Sequence, residues 1–285
     1  MLLDVLKDAV LDTAKMLPFL FVAYLLIEYV EHRHSKRIED ALAGGGRFGF
    51  VPGAMLGLLP QCGFSAMAAS LYSSRAITLG TLLAVFLSTS DEAIPIMLSM
   101  PGQLGNLAVL LTAKLVVALI AGFCIDFIFK KSIPASVRGG YTGADTVVDC
   151  HEHVESDGIF VATIKHTVAI GAFVFVFNFA LGLIVTMLGS EVVAGFVSGW
   201  GFLQPVVAGL IGLVPNCAAS VLLTQLYAAG TLNFGGVLAG LCTGAGVGLT
   251  VLLRANKSLK QNLFIIGLLY FIGVAAGLLV QLFIG

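Results

Sequence analysis

Three charged residues stand where an apolar chain can least accommodate them. Asp91 and Glu92 follow Ser88-Thr89-Ser90 near the middle of the apolar stretch Ile77–Leu98, and Lys114 lies near the middle of Leu104–Phe129. In a bilayer-spanning helix each such charge costs about 2.5–3.5 kcal/mol at the centre, so a cation, a proton or an opposite charge must offset it. Ser88 shares a helical face with Asp91 and Glu92, at i+3 and i+4. Helical neighbours point about 100° apart, so both acids cannot face one ligand squarely. One acid is expected to face a pathway and the other to pair with Lys114. A purely structural acid–lysine pair is the alternative.

Two polar, proline-bearing knots add further chemistry. Pro60-Gln61-Cys62 interrupts the apolar stretch Phe48–Ser74, and Pro215-Asn216-Cys217 interrupts Phe202–Ala228. Gln61 and Asn216 offer amide oxygens, and Cys62 and Cys217 offer thiols. Their plain alternative is a capping role, with small cysteines in the core. Where the first half carries its acids, the second has Thr243-Gly244-Ala245-Gly246-Val247, preceded by Cys242, and freed carbonyls there are expected to replace carboxylates. The candidate substrate-binding set is therefore Gln61, Cys62, Ser88, Asp91, Glu92, Asn216, Cys217, Cys242 and Thr243. Within it Asp91, Glu92, Cys62 and Cys217 are the candidate metal ligands, and Lys114 joins the two acids as an ion-pair or coupling group. Thiols suit soft metals or a trivalent metalloid, whereas carboxylate, amide and carbonyl oxygens suit manganese or magnesium. Both donor sets are present. A separate polar tract, Asp149-Cys150-His151-Glu152-His153, could capture metal through Cys150, His151 and His153. Its spacing matches no closed zinc site, and a solvated acidic loop is the alternative.

These residues need a membrane to position them. Of 285 residues 58% are hydrophobic and 11% charged, and the mean hydropathy is +1.02, whereas a soluble domain carries roughly 25% charged residues. Such a chain cannot cover its own surface with polar groups, so lipid must cover it. A net charge of −1 leaves no basic footprint for nucleic acid. The five scattered cysteines suggest no disulfide framework. Met1–Thr13 lacks a basic start and a cleavage site, and its pattern predicts an interfacial amphipathic helix.

A spanning helix needs about 20 apolar residues. Six stretches qualify: Ala14–Val30, Ile77–Leu98, Leu104–Phe129, His166–Leu188, Phe234–Leu253 and Leu263–Ile284. Each limb of the two knotted stretches has about 12 residues, or roughly 18 Å of helix, about half of a ~30 Å hydrocarbon core. They are expected to be re-entrant hairpins with tips meeting near the midplane. The two are also copies. A shift of 155 places Gly57-Leu58-Leu59-Pro60-Gln61-Cys62-Gly63-Phe64-Ser65 on Gly212-Leu213-Val214-Pro215-Asn216-Cys217-Ala218-Ala219-Ser220.

Lys and Arg cluster at 33–47, at Arg75, at 130–165 and at 254–260, and are absent from Ser99–Gln103, Gly189–Gly201 and Ala229–Asn233. With the clusters placed in the cytoplasm, every span alternates and the halves run in opposite directions. The expectation is an all-α polytopic membrane protein of two inverted repeats, each with three spans and one broken hairpin. The first repeat is 1–129, the cytoplasmic linker 130–160 and the second repeat 161–285, with both termini outside. Inverted repeats with broken helices characterise secondary transporters, whose site lies at the repeat interface. No nucleotide-binding motif suggests ATP drive. No cofactor is expected, and coupling would be to protons or sodium.

The motifs G-L-L-P-Q-C-G-F-S and S-T-S-D-E-A-I-P, followed by G-L-V-P-N-C and C-T-G-A-G-V-G-L, resemble the family of ten-helix heavy-metal exporters. Its members are variously labelled manganese transporters or arsenic efflux proteins. The likeness covers nearly the whole chain and implies export of a metal or metalloid. The resulting reading is a secondary transporter of the inner (plasma) membrane whose partners are the bilayer and a metal or metalloid ion, with a divalent cation such as manganese ahead of arsenite. The alternatives are a permease for an anion or small organic molecule, and a membrane-embedded enzyme. Against the enzyme, no histidine lies near mid-span to activate a thiol, and the other half supplies no second acid for a dyad.

Overall fold

A chain this apolar has little choice but helix, because only helices and closed barrels satisfy every backbone group in lipid. Caps and breaks then decide where each helix starts and stops. The computed structural model describes residues 6–7, 10, 14, 17–18, 21, 25, 48–60, 62–90, 92–100, 102–129, 160–161, 163–164, 167–168, 172, 175–176, 179, 201–215, 217–256 and 258–284, and no strand occurs among them. In the first half these form α1 (Phe50–Gly57), α2 (Cys62–Ser73), α3 (Leu79–Ser88), α4 (Ala93–Ser99) and α5 (Leu104–Phe123), which runs on through a π-helical turn, Cys124–Ile128. In the second half they form α6 (Gln204–Gly212), α7 (Cys217–Ala228), α8 (Phe234–Thr243), α9 (Val247–Ala255) and α10 (Leu259–Ile284).

The offset seen in the motif extends through this architecture. A shift of 155 carries the bounds of α2 onto α7 and those of α3 onto α8. It brings α1 and α4 within one residue of α6 and α9, and starts α5 in register with α10. The caps coincide as well. Thr78 accepts from Thr81 N at 3.2 Å, and its counterpart Asn233 accepts from Gly236 N at 2.6 Å, each satisfying a helix-start amide worth about 1 kcal/mol. The turns entering α3 and α8 are the same turn. Arg75 (φ 62°) and Gly230 (φ 71°) both take the left-handed conformation, and Ala76 N and Thr231 N reach back to Leu71 O and Leu226 O.

Four of the expected spans coincide with stretches long and apolar enough to cross a membrane: Leu79–Ser99, Leu104–Ile128, Phe234–Ala255 and Leu259–Phe283. Two of these four depart from expectation, since Ile77–Leu98 and Phe234–Leu253 are each two half-helices rather than one. In the first, Ser88 Oγ donates to Ala84 O at 2.8 Å and Thr89 Oγ1 to Val85 O at 2.7 Å, so hydroxyls compete for the carbonyls of the last turn. In the second, Gly246 takes φ 52°, ψ −134°, a conformation open to glycine. The spans Ala14–Val30 and His166–Leu188 hold only scattered described residues, among them Ala14, Leu25, Val168 and Phe179, all helical. The linker 130–160 lies outside the described residues, Phe160 excepted.

Packing follows the repeat. Within the halves α1 lies on α3 and α5, and α3 on α5; likewise α6 lies on α8 and α10, and α8 on α10. Across the halves α2 packs on α9 and α4 on α7, α5 on α8 and α10 on α3, while α3 meets α8. Exchanging the halves maps these pairs onto themselves. Every residue of α3 is buried, as is all of α8 from Gly235 onward, so the two broken helices form the centre. Outside them, Val109, Val116 and Ile120 of α5 and Phe271, Leu279 and Leu282 of α10 are exposed. That is the lipid-facing composition a membrane bundle needs, because close packing rather than burial from water holds its helices together.

Candidate functional site

Glycine brings the end of α1 against the end of α3, and the end of α6 against the end of α8. A methyl group on Gly57, the last residue of α1, would overlap Ser88 Oγ and lie 2.5 Å from Val85 O; one on Gly212, the last residue of α6, would overlap Gly240 O and Thr243 Oγ1. Thr243 Oγ1 secures the second junction by donating to Gly209 O at 2.8 Å. The halves are joined at the same level. A methyl on Gly248, in the first turn of α9, would stand 2.8 Å from Ser65 Cβ and 2.9 Å from Phe86 Cε1. The end of α1 thus meets the end of α3, the end of α6 meets that of α8, and the starts of α2 and α9 meet beside Phe86 of α3, while α4 packs on α7. Helix ends bring unpaired amides and carbonyls, and at membrane depth these are tolerated only where protein or a hydrated cavity serves them.

Lys114 is fully buried on α5. Its Nζ donates to Leu241 O of α8 at 2.7 Å and to Thr89 O, the first carbonyl after α3. Glu92, at the N-cap of α4, is buried too, and its Oε2 has no hydrogen-bond partner among the described residues. The expected acid–lysine pair therefore does not run through a hydrogen bond to that oxygen. Ser88 turns its hydroxyl back onto its own helix, which leaves an oxygen lone pair to offer. Cys242 is a free, buried thiol whose Cβ, with Thr243 Cγ2, faces Gly273 of α10.

Gln61, Asp91 and Asn216 lie outside the described residues, as do Cys150, His151 and His153. Cys62 and Cys217 open α2 and α7, with side chains outside the description. Among the described residues no three His, Cys, Asp or Glu groups come together as a metal cluster.

Sequence reasoning missed an acid. Asp126, in the π-helical turn, accepts from Thr78 Oγ1 at 2.6 Å and from Gly80 N at 3.1 Å, so it caps the positive end of α3. A methyl on Gly80 would lie 2.5 Å from Asp126 Oδ2. The signal was available, since Asp126 is an acid inside an apolar stretch and the repeat offset pairs it with Gln281, which donates to Gly201 O at 2.8 Å. The carbonyls of Thr89 and Leu241 carry no signature in the sequence.

A family model described as "Putative, 10TM heavy-metal exporter" matches residues 1–139 and 138–240. No curated protein and no solved structure matches the chain.

Proposed function

The chain belongs to this ten-helix heavy-metal exporter family, and from that premise we propose that it is a secondary carrier, not an enzyme, that moves a divalent cation such as manganese out of the cytoplasm. One observation carries the choice of a cation. Glu92 is a buried carboxyl group at a helix break, and its Oε2 has no partner among the described residues. A buried carboxylate without a partner is costly unless a cation or a proton joins it. Asp91 beside it, Ser88, Gln61 and Asn216 complete a hard-oxygen set suited to such an ion.

The pathway in this reading runs between two inverted repeats, 1–129 and 161–285, each with a hairpin that enters the membrane and turns back. The exchange symmetry of the packed pairs and the one-sided clustering of Lys and Arg support it. In this reading the carrier sits in the inner membrane with both termini outside and the linker 130–160 in the cytoplasm. A second reading, export of arsenite, draws on the thiols: Cys242 is buried close to the breaks, and Cys62 and Cys217 each open a hairpin limb.

Flux into protein-reconstituted vesicles separates the two. Mn²⁺ entry, followed by quenching of an internal fluorophore, is expected with the protein and not in empty vesicles. Arsenite entry without Mn²⁺ entry would transfer the proposal to the thiols, and silence with both would refute export of either.

A further inference from the structure

Breaking a helix strands carbonyls. In an unbroken α3 the amide of Ala93 would serve Thr89 O, and in an unbroken α8 the amide of Ala245 would serve Leu241 O. Both amides are engaged elsewhere: Ala93 N donates to Ser90 O at 2.9 Å, and Ala245 N to Thr243 O at 3.0 Å. An orphaned carbonyl at membrane depth is costly unless something donates to it. Both carbonyls also lie at helix C-terminal ends, where the macrodipole concentrates negative potential. Lys114 answers both from a third helix, with one oxygen taken from each half of the chain. At the equivalent place in the second half stands Leu269, also fully buried, so the arrangement is one-sided.

Carbonyls of unwound helices are the groups with which sodium-coupled carriers hold their ion. The geometry points to Lys114 as a tethered cation: its ammonium fills a monovalent-cation site built from the backbone carbonyls of Thr89 and Leu241, where the two halves meet. The site stands on this geometry. Its consequence, a carrier that needs no sodium at this place, rests on the transport reading above.

Lys114→Ala deletes three methylenes and an amine, the shape of propylammonium. The measurement is the melting temperature of the purified variant in choline chloride, with propylammonium, sodium or tetramethylammonium chloride added at equal ionic strength. The variant should melt at least about 5 °C below the parent. Propylammonium should recover about half of that loss or more and sodium a smaller part, while tetramethylammonium, which has no N–H, recovers nothing. None of these salts should shift the parent. An unshifted melt in Lys114→Ala, or equal rescue by tetramethylammonium, overturns the proposal. Lys114→Arg keeps charge and donors, so it provides a second check should the alanine variant not fold. It should melt like the parent and ignore sodium, and a sodium-dependent melt in either the parent or Lys114→Arg contradicts the assignment. Mn²⁺ flux by the parent in sodium-free vesicles reads the consequence separately. A requirement for sodium contradicts the tethered cation, whereas silence under all salts counts against Mn²⁺ transport alone and leaves the melting result to decide the site.

Discussion

In the first half α3 stops at Ser88 and the chain resumes as helix at Ala93; in the second, α8 stops at Thr243 and the helix resumes at Val247. The two breaks lie at equivalent positions and abut equivalent helix-end glycines, Gly57 and Gly212. Their chemistry differs. Hydroxyls bond the last-turn carbonyls at the first break, whose sequence also carries two acids, with Lys114 donating to Thr89 O. Glycines make the second, with Gly246 at positive φ, and Leu269 stands where a second lysine would be. The second break teaches that the geometry needs no acid, for its segment carries none, although Lys114 of the first half donates to its Leu241 O. The break itself therefore does not call for Asp91 and Glu92, and in the proposed function they answer to a cationic substrate.

The sharpest way to stress this asymmetry is the same substitution at both equivalent positions. Lys114→Met removes the donor to two stranded carbonyls and is expected to cost about 3–5 kcal/mol, as breaking a buried polar partnership does. Leu269→Met conserves volume in an apolar site and should cost less than about 1.5 kcal/mol. Thermal melts of the two variants compare them directly, and equal losses would erase the distinction between the halves.

Next come the glycines that seat the ends of α1 and α6. Alanine at Gly57 or Gly212 overpacks the junction, with an expected loss of about 3 kcal/mol. The two should respond differently to relief. Gly57→Ala meets the Ser88 hydroxyl first, so adding Ser88→Gly should recover part of the loss. Gly212→Ala meets the Gly240 carbonyl, which no side-chain deletion removes, so adding Thr243→Gly should recover less. Similar rescue in both, measured by melting temperature, would mean that the two helix ends are seated alike.

These contrasts also mark what the sequence made legible. The repeat was visible because G-L-x-P-[Q/N]-C occurs twice at one offset, and that offset carries over to helix bounds, caps and turns. Four spans were visible from apolar length alone. The breaks inside Ile77–Leu98 and Phe234–Leu253 were not, because a hydropathy window reads serine, threonine and glycine as tolerable inside an apolar run, whereas the break depends on where their hydroxyls bond and on one positive φ. Burial of Glu92 and Lys114 followed from the cost of charge in lipid. The partners of Lys114 did not, since its acceptors are backbone carbonyls that any residue possesses.

The smallest expected effect compares the turns before α3 and α8. Gly230→Ala places a side chain on a left-handed residue and should cost about 1–2 kcal/mol. Arg75→Gly, at the equivalent turn, should gain no more than about that amount. Melting temperatures that move in the same direction for both would show that the two turns are not equivalent in energy.

The central claim is that the charged break of the first half, and not the glycine break of the second, provides the carboxylate for a divalent cation. It is tested most directly by Mn²⁺ titration of the purified parent and of Glu92→Gln, with melting temperature as the control for folding. The parent is predicted to bind Mn²⁺ saturably. The variant should bind at least about tenfold more weakly, equivalent to about 1.4 kcal/mol, while melting no lower, because the amide removes a buried charge whose Oε2 has no hydrogen-bond partner among the described residues. Parent-like Mn²⁺ binding by Glu92→Gln would contradict the claim.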